Sequence, residues 1–396
     1  MSPEPTRPRL GGLRVAVVLK WPGLGGAERQ ALVLARHLRE VEGASVEVQA
    51  LTDADGRAVA AFRDAGIPWQ GRRGRWRGTA PWTVARLARA AASLGRARPD
   101  VLLPYCDVPN VVCGLVWRYV GARTCVWSQR DTLPFTLGES FVRRALETTP
   151  VIVSNSEHGA DFLAAHGAAR ERIRVIANGV DLAPARETRL EWRRRLGATK
   201  GTVVVTAVAH FYPRKGHETL LEAWRNVLER ADGSRDGLTL VLAGRPEGRR
   251  ELLERLGRDL GVDDRVYFAG DVDDVAGLLA ASDVGVLSTP ADGAEGCSNA
   301  VLEMMSCGLP VVASDVPGVR EALGPDAGGL LVPPGDAARL GSVLADLCAD
   351  PDLRARVGRR NMARQPALFG RERMLEESVA AILDGLAASH ARLPVA

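Results

Sequence analysis

Long apolar runs are missing from this sequence of 396 residues. A helix that crosses a bilayer needs about 20 consecutive apolar residues, and no stretch approaches that length. The beginning, MSPEPTRPRLGG, is polar and rich in proline and glycine, and it lacks the apolar core of a signal peptide. We therefore expect a cytoplasmic protein without membrane-spanning helices.

Paired cysteines and short repeats are also missing. The six cysteines lie in apolar runs or singly in loops, without a CxxC pair and without histidines at zinc-ligand spacing. We therefore expect reduced, structural thiols and no zinc site. The absence of low-complexity tracts and of a short repeat period argues against a solenoid.

Lysine is scarce, because Lys20, Lys200 and Lys215 are the only lysines among 52 basic residues. The chain uses arginine almost wherever a generic positive charge is needed, so a lysine indicates a specific requirement. The overall balance of 46% hydrophobic and 25% charged residues is ordinary for a folded enzyme. The length exceeds what one core usually supports and favours two domains.

Short apolar runs alternate with amphipathic helical patterns, which is typical of parallel sheets wound with crossover helices. The first series of runs covers residues 13–19, 46–51, 101–105, 124–127, 151–154 and 173–176, and the second covers 203–208, 239–243, 266–269, 284–287, 311–313 and 329–332. We predict an α/β protein of two Rossmann-like, doubly wound domains, over residues 1–190 and 191–370. Ligands of such sheets bind at the carboxyl ends of the strands, so we expect a site in the cleft between the domains.

Two segments complete this prediction. A charged stretch over residues 178–201 separates the two series and is the predicted linker. A broken segment over residues 365–370 precedes a final helical pattern. We expect this last segment, 371–396, to cross back and pack on the first domain.

The most informative segment is EGCSNAVLE, from Glu295 to Glu303. Ser298 suits the N-cap of a short helix over residues 300–306. Glu295 then lies in the loop before the helix, and the side chain of Glu303 leans back toward the helix N-terminus. Both carboxylates can therefore serve one ligand.

Four backbone amides would gather at the start of this helix, those of Gly296, Cys297, Ser298 and Asn299. The macrodipole and the N–H groups of a helix N-terminus favour phosphate oxygens. A carboxylate accepts from two adjacent hydroxyls, so Glu303 suits a ribose diol and Glu295 suits hydroxyls of a transferred sugar. Taken alone, the spacing also fits a surface helix with two unrelated glutamates.

The longer segment EGCSNAVLEMMSCGLPVVAS resembles the E-x7-E region of the retaining glycosyltransferases of family 4, enzymes of the GT-B architecture. The match is nearly position by position, with Met305 where the family more often has alanine. Further matches are GGAE at 25–28, VSNS at 153–156, NGVD at 178–181, KG at 215–216 and ASDV at 281–284. The resemblance implies a nucleotide-sugar donor, transfer with retention to a saccharide, lipid-linked saccharide or small molecule, and no metal or other cofactor.

Arg214 and Lys215 lie between an apolar run and a helical pattern. Two positive charges at the carboxyl end of a strand would neutralise a diphosphate leaving group. The family usually has an arginine directly after this strand, where the present chain has His210. The resemblance therefore implies that His210 contacts the nucleotide-sugar donor and that Arg214 supplies the positive charge of the missing arginine. The alternative is that Arg214 and Lys215 are solvated charges of a surface loop.

The first domain offers Gly25 and Gly26 in the turn GLGGAE, where glycines let the backbone approach a ligand. This order lacks the third glycine of a dinucleotide-binding GxGxxG. The resemblance implies that these glycines contact the donor phosphates and the acceptor. The alternative is that they serve only to form a tight turn. Arg130 holds the place of a histidine found in many relatives, so it would steady a phosphate or an anionic acceptor and could not act as a base.

Two further motifs have more than one interpretation. Asp271 and Asp273 form a DxD, which holds a divalent metal in the other glycosyltransferase architecture. We instead interpret Asp273 or Asp274 as the N-cap of a helix over 275–281, and expect no metal.

The second motif is the loop WQGRRGRWR over residues 69–77, which contains Arg72, Arg73, Arg75 and Arg77. It can contact anionic headgroups at the inner face of the membrane, or it is a solvated loop. No nucleic-acid recognition fold accompanies it.

Other functions stay open at this point. A GT-B-shaped nucleotide-sugar epimerase would keep the fold and the donor pocket but would need no acceptor. A non-catalytic nucleotide-sugar-binding protein is conceivable because His210 and Arg130 replace the expected residues. A nicotinamide-dependent oxidoreductase is opposed by the glycine spacing.

Overall fold

The computed structural model describes residues 9–20, 22–52, 56–71, 80–231, 235–293 and 295–390. The chain forms two compact units. The first unit runs to Asn178 and resumes at Glu372, and the second comprises Gly179–Arg371. No helix within these described ranges is both long enough and apolar enough to cross a membrane.

The first unit is built on a seven-stranded sheet with the order β3-β2-β1-β4-β5-β6-β7, and its described pairings are parallel. Helices cover both faces, so the strands are continuous apolar runs such as VAVVL at 15–19. The strands are β1 (Arg14–Leu19), β2 (Ser45–Ala50), β3 (Trp69–Gln70), β4 (Val101–Pro104), β5 (Thr124–Gln129), β6 (Val151–Ser154) and β7 (Ile173–Val175).

The helices of this unit pack apolar side chains against the sheet. They are α1 (Gly26–Glu40), α2 (Arg57–Asp64), α3 (Ala80–Ala97), α4 (Asp107–Val116), α5 (Glu139–Thr148), α6 (Glu157–Ala165) and, from the other end of the chain, α15 (Arg371–His390). In α15, Val379 and Ile382 are fully buried in the same core as Val15 and Val17 of β1. The last helix therefore completes the core of the first unit.

The second unit repeats this plan with six parallel strands in the order β10-β9-β8-β11-β12-β13. The strands are β8 (Val203–Val208), β9 (Leu238–Ala243), β10 (Val266–Gly270), β11 (Val284–Leu287), β12 (Val311–Ser314) and β13 (Leu331–Val332). Counted within the unit, this is the order 3-2-1-4-5-6 of nucleotide-binding sheets. The winding direction reverses between β8 and β11, and such switch points open crevices at the carboxyl ends of the strands.

Eight helices, counted in the part of the chain that the structure describes, surround this second sheet. They are α7 (Arg189–Arg195), α8 (His217–Arg230), α9 (Arg250–Asp259), α10 (Val275–Ala281), α11 (Asn299–Ser306), α12 (Pro317–Leu323), α13 (Ala337–Ala349) and α14 (Pro351–Phe369). Asp274, Asp336 and Asp350 cap the starts of α10, α13 and α14 with their side chains.

Each predicted apolar run overlaps an observed strand, which confirms the α/β prediction. The sequence did not indicate β3, because a strand of two residues leaves no periodicity to recognise. The expected break over residues 365–370 is wrong, since α14 continues through Pro366 and only Gly370 separates it from α15. Proline removes one backbone hydrogen bond, and the buried Gln365 amide holds this turn by donating to the carbonyls of Val180 and Phe369.

Part of the predicted linker is also folded. Residues 189–195 form α7, which lies within the second unit. A capping box between Thr188 and Glu191 starts this helix, and Trp192 is buried in the second unit's core. Because charged residues surround Trp192 in the sequence, the local pattern did not indicate that it anchors a helix, together with Leu196.

Candidate functional site

Two loops meet at the switch point of the second sheet. One leaves β8 and contains Lys215 and Gly216, and the other leaves β11 and begins with Ser288. Gly216 has a left-handed backbone, with φ 64° and ψ 34°, and a Cβ on it would overlap the carbonyl oxygen of Ser288. The hydroxyl of Ser288, which is 3% exposed, donates to the carbonyls of Lys215 at 3.2 Å and Gly216 at 2.9 Å. Only glycine permits this close approach.

The close approach brings together the two candidate residues on these loops. The ammonium of Lys215 forms an ion pair with the carboxylate of Glu295. Their side chains are only 20% and 12% exposed, and Thr289 Oγ1 lies 3.5 Å from the same carboxylate oxygen. Each charge offsets part of the cost of burying the other, so removal of either one leaves a poorly solvated charge.

The opposite side of the Glu295 loop packs on the first turn of α12. A Cβ on Gly318 would overlap the carbonyl oxygen of Gly296, so helix and loop backbones are in direct contact. Gly296, Cys297 and Ser298 are buried, and Asn299 is partly exposed. The loop that carries Glu295 is thus held between α12 and the Lys215 loop.

Ser298 occupies the N-cap position of α11, as predicted, but its side chain makes no capping hydrogen bond. Its backbone carbonyl instead accepts from the N–H of Leu302 at 3.2 Å. The helix begins at Asn299, one residue earlier than the sequence indicates. The expected side-chain cap is therefore absent, and the start of α11 is defined by backbone geometry.

Glu303 lies in the middle of α11 and is 7% exposed. Burial, together with the charge of Glu303, raises the pKa of the neighbouring Cys307 thiol to about 11, against a smaller opposing effect of Ser306. This thiol therefore stays protonated at neutral pH and is a poor nucleophile.

His210 and Arg214 lie on the Lys215 loop but have other partners. His210 Nδ1 accepts from the backbone N–H of Arg245 at 3.1 Å, which assigns the ring proton of the neutral form to Nε2. The exposed Arg214 guanidinium lies over the Tyr212 ring, 5.2 Å from its centroid. In this structure the basic pair therefore diverges, with Lys215 at Glu295 and Arg214 at Tyr212.

His217 is buried directly behind this loop, at the first position of α8. Its ring packs against Phe211, with 4.8 Å between centroids. Burial lowers the pKa of His217 to about 4, and the charges of Lys215 and Arg249 act in the same direction, against a smaller opposing effect of the Ala209 backbone. The ring is therefore neutral at pH 7.

In the first unit, Gly25 and Gly26 form the start of α1, after β1. The N–H of Gly25 donates to the carboxylate of Glu28 at 3.0 Å. Arg130 follows β5, and its guanidinium donates to Asn178 at 3.0 Å and lies 5.0 Å from the Tyr105 ring centroid. Arg130 is thus held in place at the carboxyl edge of the first sheet.

Asp274, the residue that follows the DxD, has a structural role. Asp274 caps α10 through the N–H of Gly277 at 3.1 Å and accepts from the Trp192 indole at 2.9 Å. Burial opposes ionisation of Asp274, but these bonds and two more from backbone N–H groups hold its pKa below the usual range.

Asp271 and Asp273 line a pocket of about 280 Å³ beside α7 and β10. Over the described ranges, no group of three or more His, Cys, Asp or Glu side chains could hold a metal ion. Arg72, Arg73, Arg75 and Arg77 lie outside the described residues.

Sequence reasoning missed Ser288, which ties the Lys215 loop to β11. The available signal was its position directly after the run 284–287, because residues that follow strands beside a switch point lie at the ligand edge of the sheet. Gly216, which contacts Ser288, belongs to the KG motif, but that motif by itself does not predict a left-handed glycine between a loop and a helix.

Comparison with known proteins gives two family matches. The model of "Glycosyltransferase Family 4" matches residues 24–184, and the model of "Glycosyl transferases group 1" matches residues 202–350. The lipopolysaccharide core biosynthesis glycosyltransferase LpsE of Rhizobium meliloti is 33% identical over 292 residues, which cover 74% of this chain and 76% of that protein.

A second relative is matched over a shorter stretch. The D-inositol 3-phosphate glycosyltransferase of Acidothermus cellulolyticus is 36% identical over 203 residues, which cover 49% of this chain and 44% of that protein. The match covers 49% of the protein of the same name from Saccharomonospora viridis and 53% of the one from Frankia alni. The chain thus spans about half the length of these relatives.

Solved structures share the fold. Anabaena HepE, crystallised with UDP-glucose, superposes with a TM-score of 0.77 at 20% identity over 94% of this chain and 100% of that one. Sucrose-phosphate synthase of Thermosynechococcus elongatus superposes with a TM-score of 0.74 at 19% identity over 95% and 100%. With two Rossmann-like units and family matches in both, this chain belongs to the glycosyltransferases of family 4 and has the GT-B fold.

Proposed function

We propose that this protein is a retaining glycosyltransferase that moves a sugar from a nucleotide-sugar donor to a saccharide, a lipid-linked saccharide or a small molecule. The observation that carries the proposal is the pairing of Lys215 with Glu295 at the ends of β8 and β11. A cation and a carboxylate that lie side by side suit a nucleotide-sugar, because this ligand has a diphosphate directly bonded to a ring with several hydroxyls. Lys215 would bind the phosphate, and Glu295 would accept from the sugar hydroxyls.

The reaction follows from these roles. The bond between the anomeric carbon and the diphosphate oxygen breaks, and the diphosphate leaves with the electron pair. Lys215 stabilises the negative charge that develops on it, aided by the amides at the start of α11. The acceptor oxygen then bonds to the anomeric carbon on the face that the diphosphate left, and the acceptor's proton is taken up by the departing diphosphate or by water. Glu303 holds the ribose, and Glu295 orients the ring.

The donor class is tested first. The structure of HepE contains UDP-glucose, which makes UDP-sugars the first donors to try. A thermal-shift screen of UDP-, GDP-, ADP- and dTDP-sugars identifies the donor, because a ligand bound only by the folded state raises the unfolding temperature. Incubation of that donor with acceptors, followed by NMR of the anomeric proton, shows whether a product with retained configuration forms.

The same experiment separates the other functions. A changed sugar configuration without any acceptor would identify an epimerase. Donor binding without transfer to any acceptor class and without donor hydrolysis would identify a binding protein. Either result would contradict the proposal.

We also propose a peripheral contact with an anionic membrane through Arg72, Arg73, Arg75 and Arg77. Clustered arginines are attracted to anionic headgroups, and Trp76, which stands among them in the sequence, suits the membrane interface. Such a contact would give the enzyme access to a lipid-linked acceptor. Flotation with vesicles of phosphatidylcholine, with and without phosphatidylglycerol, tests it, and equal binding to both kinds of vesicle would contradict it.

A further inference from the structure

Lys20 and Asp107 lie at the switch point of the first sheet. Lys20 directly follows β1, and Asp107 begins α4, the helix after β4. In the sheet, β1 lies between β2 and β4, so the winding direction reverses between β1 and β4. Switch points of this kind open crevices at the carboxyl ends of the strands. The two residues are therefore at the ligand edge of the first sheet.

The two units carry a lysine and a carboxylate at equivalent points. In the second unit, Lys215 and Glu295 are on the loops that follow β8 and β11, the strands that flank its switch point. In the first unit, β1 and β4 hold the same places in the strand order, and the ammonium of Lys20 lies 4.0 Å from the carboxylate of Asp107. Two of the three lysines in this arginine-rich chain thus occupy matching positions. This match indicates a specific requirement for Lys20 as well as for Lys215.

Lys20 is more open than Lys215. Its side chain is 42% exposed, against 20% for Lys215. The 4.0 Å between Lys20 and Asp107 exceeds the length of a hydrogen bond, whereas Lys215 contacts its carboxylate directly. Among the residues that the structure describes, no side chain or carbonyl accepts a hydrogen bond from the Lys20 ammonium. Its three N–H donors are therefore available to a ligand.

Local hydrogen bonds hold both residues in place. The backbone N–H of Thr136 donates to the carboxylate of Asp107 at 3.0 Å, and the Thr136 hydroxyl donates to the same carboxylate. The hydroxyl of Thr52 donates to the backbone carbonyl of Lys20 at 2.7 Å. Cys106, directly before Asp107, has φ 64° and ψ 177°, a costly conformation for a residue with a Cβ, and such strain concentrates at ligand sites. The fold therefore positions the carboxylate and the lysine backbone without help from the attraction between the two charges.

Other acids at this edge are engaged by the backbone. Glu28, in the first turn of α1, accepts from the N–H of Gly25 at 3.0 Å. Asp131, two residues after β5, accepts from the N–H of Leu133 at 3.2 Å. Because both carboxylates accept from neighbouring backbone groups, they compete less with a ligand for the Lys20 ammonium. The edge therefore offers a ligand an ammonium with one carboxylate close beside it.

We propose that Lys20 and Asp107 bind the acceptor, and that this acceptor is a polyhydroxylated molecule with an anionic group, a phosphate or a carboxylate, next to free hydroxyls. Lys20 would donate to the anionic group, and Asp107 would accept from a neighbouring hydroxyl. Arg130, held at the same edge of the sheet by Asn178 and Tyr105, would add positive charge. The role of acceptor rests on the proposed function, in which the donor residues lie in the second unit.

Titration of the full chain with three related probes tests the charge of the ligand. Glucose 6-phosphate, glucuronate and glucose share one pyranose ring and differ in the group at carbon 6. At least one anionic probe should bind at least about tenfold more tightly than glucose, because its anionic group forms charge-assisted hydrogen bonds with Lys20. Calorimetry measures the affinities, and the tighter of the two anionic probes identifies the preferred group as phosphate or carboxylate.

Variants locate the bound probe. Lys20→Ala should weaken the preferred anionic probe at least about tenfold and leave glucose unchanged, and Lys20→Arg should restore most of the affinity. Asp107→Asn should weaken that probe about threefold but should not weaken inorganic phosphate or acetate, which have no sugar hydroxyls. Lys200→Ala is the matched control, because Lys200 is an exposed lysine of the second unit, and it should bind the probes like the parent. Thermal unfolding checks that each variant is folded.

Three results would overturn the proposal. The first is that the parent binds none of the probes, or binds glucose as tightly as both anionic probes. The second is unchanged binding of the anionic probe by folded Lys20→Ala protein. The third is a loss of binding in Lys215→Ala protein instead, since the probe would then occupy the donor site.

Sugar transfer is measured separately, so the two proposals can fail independently. A protein that binds the anionic probe through Lys20 but transfers no sugar contradicts the proposed function and leaves the anion site in place. A transferase that prefers neutral acceptors to anionic ones contradicts only the assignment of the acceptor.

Discussion

The ammonium of Lys215 is paired with the carboxylate of Glu295, although 80 positions separate the two residues in the chain. The pair forms because Gly216 lets its loop lie against Ser288, at the end of the neighbouring strand. Each residue holds the other at the switch point of the second sheet. The pair therefore presents both charges in a fixed place before any ligand arrives.

Replacement of Lys215 by alanine should lower sugar transfer at least about tenfold, since a charge-assisted bond to the departing phosphate is worth about 1.5 kcal/mol or more. Turnover of the best donor at saturating concentration measures the effect. Lys200→Ala is the control, because Lys200 is an exposed lysine of the same unit. Near-normal turnover in folded Lys215→Ala protein would remove Lys215 from the mechanism.

The two glutamates of the E-x7-E segment should have separable effects. Glu303→Ala should weaken the nucleoside diphosphate and the intact donor alike, because both contain the ribose that it is proposed to hold. Glu295→Ala should reduce transfer strongly without lowering the affinity for free diphosphate, because the diphosphate carries no sugar and the unpaired Lys215 is still there to bind phosphate.

Calorimetric titration with the diphosphate, beside turnover of the donor, measures both effects. Glu303 is buried, so Glu303→Gln is the control that keeps its volume and removes its charge. If both alanine variants bind diphosphate and transfer sugar like the parent, the glutamates have structural roles only.

Gly216→Ala should destabilise the second unit and reduce transfer, because the added methyl would both strain a left-handed backbone and displace the Ser288 carbonyl. Gly197→Ala isolates the second effect, since Gly197 has nearly the same φ of +66° and open space around its Cβ. We expect the loss of unfolding free energy to exceed that of the control by roughly 2 kcal/mol. If chemical denaturation shows that both variants lose the same unfolding free energy, the contact between Gly216 and the Ser288 carbonyl does not contribute to stability.

Stability should fall on acidification below pH 6.5, because His217 is neutral in the folded state. Its pKa is lowered from the ordinary 6.5 to about 4, so the unfolded chain binds one more proton between these values. The stabilising contribution is therefore complete above pH 6.5 and is lost as the pH falls toward 4, to a total on the order of 3 kcal/mol. Denaturation of parent and His217→Gln across this range measures it, and an identical pH dependence of both proteins would refute it.

Transfer should continue in the presence of EDTA, because Lys215 and the amides of α11 are proposed to take the place of a metal at the diphosphate. Assays with EDTA, with Mg²⁺ and with Mn²⁺ in parallel measure this directly. Activity that disappears with EDTA and returns only with a divalent ion would revive Asp271 and Asp273 as ligands. Loss of activity in Asp271→Ala protein would then be the confirming result.

Local patterns in the sequence determined the secondary structure and most of the candidate residues. Apolar runs such as 203–208 and 284–287 predict buried parallel strands, because both faces of such strands are covered. The spacing of Glu295 and Glu303 around a short helix is likewise visible in the local sequence. The resemblance of one continuous segment to a known family also required no tertiary information.

Tertiary structure alone decided which of these residues act on one another. The different partners of Lys215 and Arg214, adjacent in sequence, depend on loops from distant parts of the chain. The sequence around Trp192 resembles a charged linker, but Trp192 is buried and anchors a helix. Its burial depends on residues from distant parts of the chain that pack against it, so the local sequence does not predict it. Ser288 gained its role for the same reason: a hydroxyl after a strand has no local signature, and only the order of strands in the sheet brings β8 beside β11.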